Sequence, residues 1–174
     1  MSKKLDDVVI TSALRTPIGT YKGSLKNLSA DKLGALAIKE AVHKSNLKSE
    51  QIDEVIMGHV LTSGLGQNPA RQASINAGIP VSKPAHIVNQ VCGSGLRSIV
   101  SGFQSMKLEE DMIVVSGGQE NMSRAPHALF YRENKKLDES KLIDTMINDG
   151  LIDSFNHYHM GVTAENVAKK FDIS

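Results

Sequence analysis

The chain has 174 residues, 40% hydrophobic and 22% charged, with 14 Gly, 5 Pro and a formal net charge of +1, the profile of a folded globular domain and not of a disordered segment. Near-neutral charge and only 4% aromatic residues, with no Trp, leave no basic stripe with interleaved rings, so a nucleic-acid partner is excluded. No apolar run is long enough to cross a bilayer, and no membrane partner is expected.

In chain order, Asp7 to Leu14 (DVVITSAL) reads as a first strand, followed by a loop punctuated by Gly and Pro, RTPIGTYKGSL. Ser29 then has the character of an N-cap, and Leu33, Leu36, Ala37 and Ala41 form a helical stripe ending near His43. Ile52 to Leu61 is the second strand. The loop TSGLGQNP ends in Asn68 as cap and Pro69 at the first helical position, with Gly78 terminating the helix. Ala85 to Asn89 is a third, short strand. Behind it Leu96, Ile99, Val100 and Phe103 recur at three to four residues and predict a helix to about Lys107 with that stripe in the core. Asp111 to Ser116 is a fourth strand, turned by Gly117 and Gly118.

The order βαβαβαβ predicts an α/β fold with a mostly parallel sheet and flanking helices, with chemistry at the carboxyl ends of the strands. Residues 1–118 form this core. Residues 119–174 begin a long, polar, locally periodic excursion, in which a short helix over Lys141 to Asn148, with Leu142, Met146 and Ile143 inward, ends at Gly150. Thr163 is expected to cap a last helix, AENVAKKF.

Cys92, the only cysteine of the chain, falls at the junction between the third strand and its helix, in NQVCGSGLRS. The first N–H groups of a helix are unpaired and the field there is positive, which favours a thiolate and suits a developing oxyanion. Gly93 and Gly95 remove side chains that would block close approach. Against this stands the ordinary reading of a lone cysteine as a small buried hydrophobe. One cysteine excludes an internal disulfide, and together with an N-terminus lacking a secretory signal and a C-terminal FDIS that is no lipidation or peroxisomal signal, it predicts a cytoplasmic location.

Other motifs carry less. GLG at Gly64 to Gly66 lacks the further glycine of a dinucleotide motif, and no GxxxxGK occurs. His157 and His159 form an HxH pair with no cysteine or further histidine nearby to complete a metal site, so no metal is expected. Arg71, Glu120 and Asn121, at loop–helix joints, are read as fixing backbone.

The blocks SALRTPIGTYKGSL, GHVLTSGLGQNPARQA, NQVCGSGL, VVSGGQENMSRAPH and HMGVTAENVA resemble the thiolases, in order and along nearly the whole chain, and within them the acetyl-CoA acetyltransferase branch. The resemblance implies one half of a fold made of two such halves packed in five alternating layers, plus the start of a loop domain that cradles coenzyme A, with the second half absent. It implies Cys92 as the acyl-accepting nucleophile, and Leu151, His159 and Met160 along the pantetheine channel as substrate contacts. Coenzyme A thioesters, acetyl-CoA and acetoacetyl-CoA, would be substrates, with no cofactor. The family's second cysteine and activating histidine belong to the other half, so the chain alone is expected to be inactive. Its partner would be that missing half, or a homo-oligomer. Three readings stand: the nucleophile-bearing part of an acetyl-CoA C-acetyltransferase, a truncated or frameshifted non-catalytic fragment, and a module that pairs with an intact thiolase.

Overall fold

The computed structural model describes residues 8–109, 112–132 and 138–174. Asp7 and Asp111, the first residues of two expected strands, lie outside these, as do residues 133–137 of the polar excursion. The chain divides into two compact units, Met1–Arg124 and Ala125–Ser174.

The first unit runs α1 (Ala30–Lys44), β1 (Glu54–Gly58), α2 (Pro69–Asn76), β2 (Ala85–Val88), α3 (Ser94–Leu108) and β3 (Val114–Gly118). The strands form a parallel sheet in the order β2-β1-β3, with Val55 beside Ala85 and Val115, and Gly58 beside Val88 and Gly118. This is the α/β, parallel, helix-flanked architecture that the sequence predicts. Residues 8–14 differ: they form no strand, and Val9 and Ile10 are exposed. Their β-branched composition meets no ladder partner among the described residues, and side chains tie the segment down, such as Ser12 Oγ donating to Ala41 O at 2.9 Å. Strand propensity is mostly a preference for a pleated surface to pack on, and without one it is unexpressed.

Alternation along the strands assigns the two faces. Val55 and Met57 of β1 join Ile38 and Val42 of α1 and Ala70 and Ala73 of α2 in the hydrophobic core, with Val115 packed against it. The even positions, Ile56 and Gly58 on β1 and Val114, Ser116 and Gly118 on β3, face α3.

That face corrects the sequence reading of α3. The stripe expected in the core is exposed: Leu96 is 69%, Ile99 47%, Val100 38% and Phe103 44% accessible. Buried instead are Ser94, Ser98 and Gly102, four residues apart and therefore on one helix face. The sheet dictates the choice, because a Cβ on Gly102 would come within 2.5 Å of Ser116 Oγ, and Ser98 Oγ donates to Gly117 O at 2.7 Å. Small residues let the helix axis approach a glycine- and serine-lined surface that Leu or Phe would hold away.

In α1 the helix and its Ser29 N-cap position are as expected, but the buried residues are Ala30, Asp31, Gly34, Ala35, Ile38 and Val42, a stripe rotated from the predicted one, with Leu36 exposed. Gly34 leaves room there for the buried Gln119 side chain, which a Cβ would crowd. α2 matches its signals: the Asn68 side chain accepts from Arg71 N at 3.1 Å and Pro69 opens the helix.

At the amino edge of the sheet Asp53 binds two neighbours, accepting from Ile113 N at 2.9 Å and pairing with Lys83 Nζ at 3.0 Å. The Ile113 N–H bond, then Lys83, hold its carboxyl below the usual range despite opposition from burial. A depressed folded pKa contributes stability that is complete above the unfolded value of about 3.9 and is lost as pH falls through the folded one. Asp53→Asn keeps an acceptor for Ile113 and deletes the charge. Urea titrations are expected to show the variant less stable at pH 7, with the gap to the parent shrinking as pH falls below the unfolded value and closing as it passes through the lowered folded one; a gap independent of pH would refute the assignment.

The second unit contains a short antiparallel pair, β4 (His127–Ala128) with β5 (Ile143–Asp144), then α4 (Thr145–Gly150) and α5 (Met160–Phe171). The helix expected over Lys141 to Asn148 is shorter and later. Asp144 caps it by accepting from Met146 N and Ile147 N, which leaves Leu142 and Ile143 outside and Leu142 exposed. α5 likewise begins before Thr163. His159 Nδ1 accepts from Gly161 N at 3.0 Å and takes the capping role, which puts Thr163 inside the helix.

Candidate functional site

β2 ends at Val88, whose carbonyl accepts from His59 N at 3.1 Å, and the chain turns at once into α3. Gly93 N donates to Gln90 O and Ser94 N to Val91 O, each at 3.0 Å. Cys92 sits on this turn, exposed, one residue before Gly93, the N-cap of α3. The strand-to-helix address read from the sequence is therefore observed, and the buried-hydrophobe reading of this cysteine is not. One detail differs. The N–H groups of Gly93 and Ser94 are spent on the turn, so the first donors at the junction point back into it rather than outward. Around Gly95 the space is open: a Cβ there would meet nothing within 4 Å.

The height of α3 over the sheet is set by backbone contact. A Cβ on Gly58 would lie 2.4 Å from Ser94 C and 2.5 Å from Gly95 N, and one on Gly118 would lie 3.5 Å from Gly95 Cα. Helix backbone cannot yield as a side-chain tip can. Gly58→Ala is expected to lower stability by about 1–3 kcal/mol or more, as overpacking does. An unchanged thermal midpoint would show that α3 is free to rise.

Beyond the strand ends Glu120, read from the sequence as fixing backbone, joins two residues that the sequence did not single out. His59, 1% exposed, follows β1, and Gln119 and Glu120 follow β3. Gln119 Nε2 lies 3.2 Å from His59 Nδ1, and Glu120 Oε1 lies 3.3 Å from His59 Nε2, close for a charge contact but not aligned as a hydrogen bond. Glu120 also accepts from Val60 N at 2.9 Å and Leu61 N at 3.2 Å, and so holds the start of the β1–α2 loop. The signal was available: HVL directly after one strand and QE directly after another must meet if the two strands are parallel neighbours. Asn121 Nδ2 donates to Leu25 O and Leu28 O, and the Arg71 guanidinium donates to the carbonyls of Val81 and Lys83. These residues do fix backbone. Gln119 to Asn121, placed at the head of the loop region by sequence, are bonded into the first unit.

In the second unit Leu151, His159 and Met160 are brought together. Met160 N donates to Leu151 O at 2.8 Å, and Ile152 bridges His159. The loop between is closed by Asp153 N donating to Tyr158 O at 2.9 Å, while the Asp153 carboxylate accepts from Phe155 N and Asn156 N. Those bonds, Asn156 N first, hold the Asp153 carboxyl below its ordinary range. With Nδ1 occupied by Gly161 N–H, a neutral His159 carries its proton on Nε2 and presents a donor there. Among the described residues no group of three or more His, Cys, Asp or Glu is placed to hold a metal ion, and no helix is long and apolar enough to cross a membrane.

These features define a parallel α/β unit that displays one thiol at the carboxyl edge of its sheet, between a strand and a glycine-seated helix. A family model for the thiolase N-terminal domain matches residues 8–174, and the chain belongs to the thiolase family. It is 53% identical over 171 residues to an acetyl-CoA acetyltransferase of Cupriavidus necator, covering 98% of this chain and 44% of the relative. It is 49% identical over 174 residues to the cytosolic acetyl-CoA acetyltransferase of Rattus norvegicus, again covering 44% of the relative. In structure it superposes on the Acat5 thiolase of Ascaris suum, solved in complex with coenzyme A, with a TM-score of 0.88, 40% identity and coverage of 97% of this chain and 44% of that one. The chain thus spans less than half the length of the relatives it matches and corresponds to one thiolase-like half.

Proposed function

We propose that the chain is the N-terminal, nucleophile-bearing part of an acetyl-CoA C-acetyltransferase, which condenses two acetyl-CoA to acetoacetyl-CoA and coenzyme A, reversibly. The observation that carries this is the exposed Cys92 on the β2–α3 turn of a chain aligned along nearly its whole length with acetyl-CoA acetyltransferases. In this reading the Cys92 sulfur attacks the thioester carbonyl, the carbon–sulfur bond to coenzyme A breaks, the thiolate of coenzyme A leaves, and the acetyl group stays on Cys92 as a thioester. Leu151, His159 and Met160 contact the pantetheine arm, His159 through its Nε2–H. Coenzyme A thioesters are substrates and no separate cofactor takes part.

A carbanion from a second acetyl-CoA then displaces Cys92 from the acetyl carbon, which needs a base and an activating histidine that the remaining thiolase half supplies. That half, or an oligomer containing it, is the working partner, and the cytosolic relative supports a cytoplasmic site of action. The test is to add the C-terminal remainder of the Cupriavidus necator relative to the purified chain and follow thiolysis of acetoacetyl-CoA. Turnover that appears on mixing and disappears with Cys92→Ser supports the reading; turnover indifferent to Cys92→Ser overturns it.

A further inference from the structure

Val91, the residue before Cys92, has φ +47°, a left-handed conformation that is costly for a β-branched side chain. Packing does not impose it, since Val91 is 42% exposed. Its two backbone groups are instead both held by side chains from either side. Asn89 Oδ1 accepts from Val91 N at 2.9 Å, and Ser94 Oγ donates to Val91 O at 2.6 Å. The same Ser94 hydroxyl accepts from Gln90 N at 2.8 Å and is buried, 3% exposed, where α3 meets Gly58. We propose that Asn89 and Ser94 are positioning residues which clamp Val91 in its left-handed conformation and so fix the presentation of Cys92.

A residue in a sparsely populated region stays there only when its surroundings over-determine it. Here the ladder has ended and the side chain is partly exposed, so the constraint is carried by the bonds to Val91 N–H and C=O, with Ser94 N–H on the same carbonyl and Gly93 N–H on Gln90 O closing the turn around Val91. Ser94 is anchored at the fixed start of α3, and Asn89 at the end of β2. The clamp therefore refers the cysteine to both the sheet and the helix. The significance for acyl transfer rests on Cys92 being the nucleophile, but the clamp itself does not.

The test uses the 174-residue chain with two readouts, the Val91 φ angle from NMR scalar couplings and the rate of Cys92 alkylation by iodoacetamide. Asn89→Ala, at an exposed site that leaves the fold intact, and Ser94→Ala are each expected to lose the positive-φ signature and to change the alkylation rate by roughly fivefold or more. Asn89→Asp keeps an oxygen acceptor and is expected to restore both. A purely structural role would lower the thermal midpoint without this pattern of rescue. Retention of positive φ in Asn89→Ala overturns the clamp, and loss of positive φ with an unchanged alkylation rate overturns the positioning role. Should Ser94→Ala fail to fold, the two Asn89 variants decide alone. Should the clamp hold while the mixed enzyme turns over independently of Cys92, the functional reading falls and the clamp stands.

Discussion

Alone, the chain is expected to leave acetoacetyl-CoA uncleaved at any rate an enzyme would show, and the matching C-terminal remainder is expected to raise turnover by orders of magnitude. Losing one positioned general base costs about 10²- to 10⁴-fold, and in the proposed reaction the activating histidine and the second cysteine are lost together. Such losses do not add simply when residues act as a unit. The chain holds one cysteine, Cys92, which cannot serve as nucleophile and base at once. Loss of acetoacetyl-CoA absorbance in the presence of coenzyme A is the measurement. Turnover by the purified chain alone, abolished by Cys92→Ser, would falsify the view that the site is incomplete and would require a base among His59, His86, His127, His157 and His159.

The second large effect concerns assembly. Leu96, Ile99, Val100 and Phe103 form a contiguous apolar face on α3, and exposed patches of this kind drive association. Sedimentation velocity is expected to show the purified chain associating as concentration rises, and Leu96→Glu with Ile99→Lys to shift it towards monomer without loss of helical circular dichroism. Substituting exposed positions spares the Ser94–Ser98–Gly102 contact on which the fold depends. A parent chain that remains monomeric with a sharp cooperative transition would show a finished domain and remove the need for a covering partner.

The two faces of α3 also mark the limit of what the sequence disclosed. Element order was legible because turn chemistry is local: Asn68-Pro69 opens α2, and Cys92 sits where the period changes from strand to helix. Orientation was not, because it depends on what the sheet offers. Ser94, Ser98 and Gly102 become the inward face only because Gly58, Ser116 and Gly118 line the sheet opposite, a fact of register between strands distant in sequence. The same limit hid the contact of His59 with Gln119 and Glu120, and led residues 8–14 to be read as a strand although they find no ladder. In the second unit, Leu151, His159 and Met160 came from family resemblance, and no periodicity would have joined them. What joins them is a hydrogen-bonded loop closed by Asp153.

The strand order also bears on how the chain emerges during synthesis. β1 lies at the centre of its sheet yet is made before both of its neighbours. Growing at about 5–20 residues per second, a nascent chain therefore carries β1 with two open edges until β2 is made, and with one until α3 and β3 have followed. Val55, Ile56 and Met57, each 2% exposed or less in the finished fold, are uncovered through that interval. The helices α1 and α2, made on either side of β1 and packed over Val55 and Met57, shelter one face of the waiting strand. The other face, with Ile56 on it, stays uncovered until α3 has been made and can seat Ser94, Ser98 and Gly102 against Gly58 and Ser116.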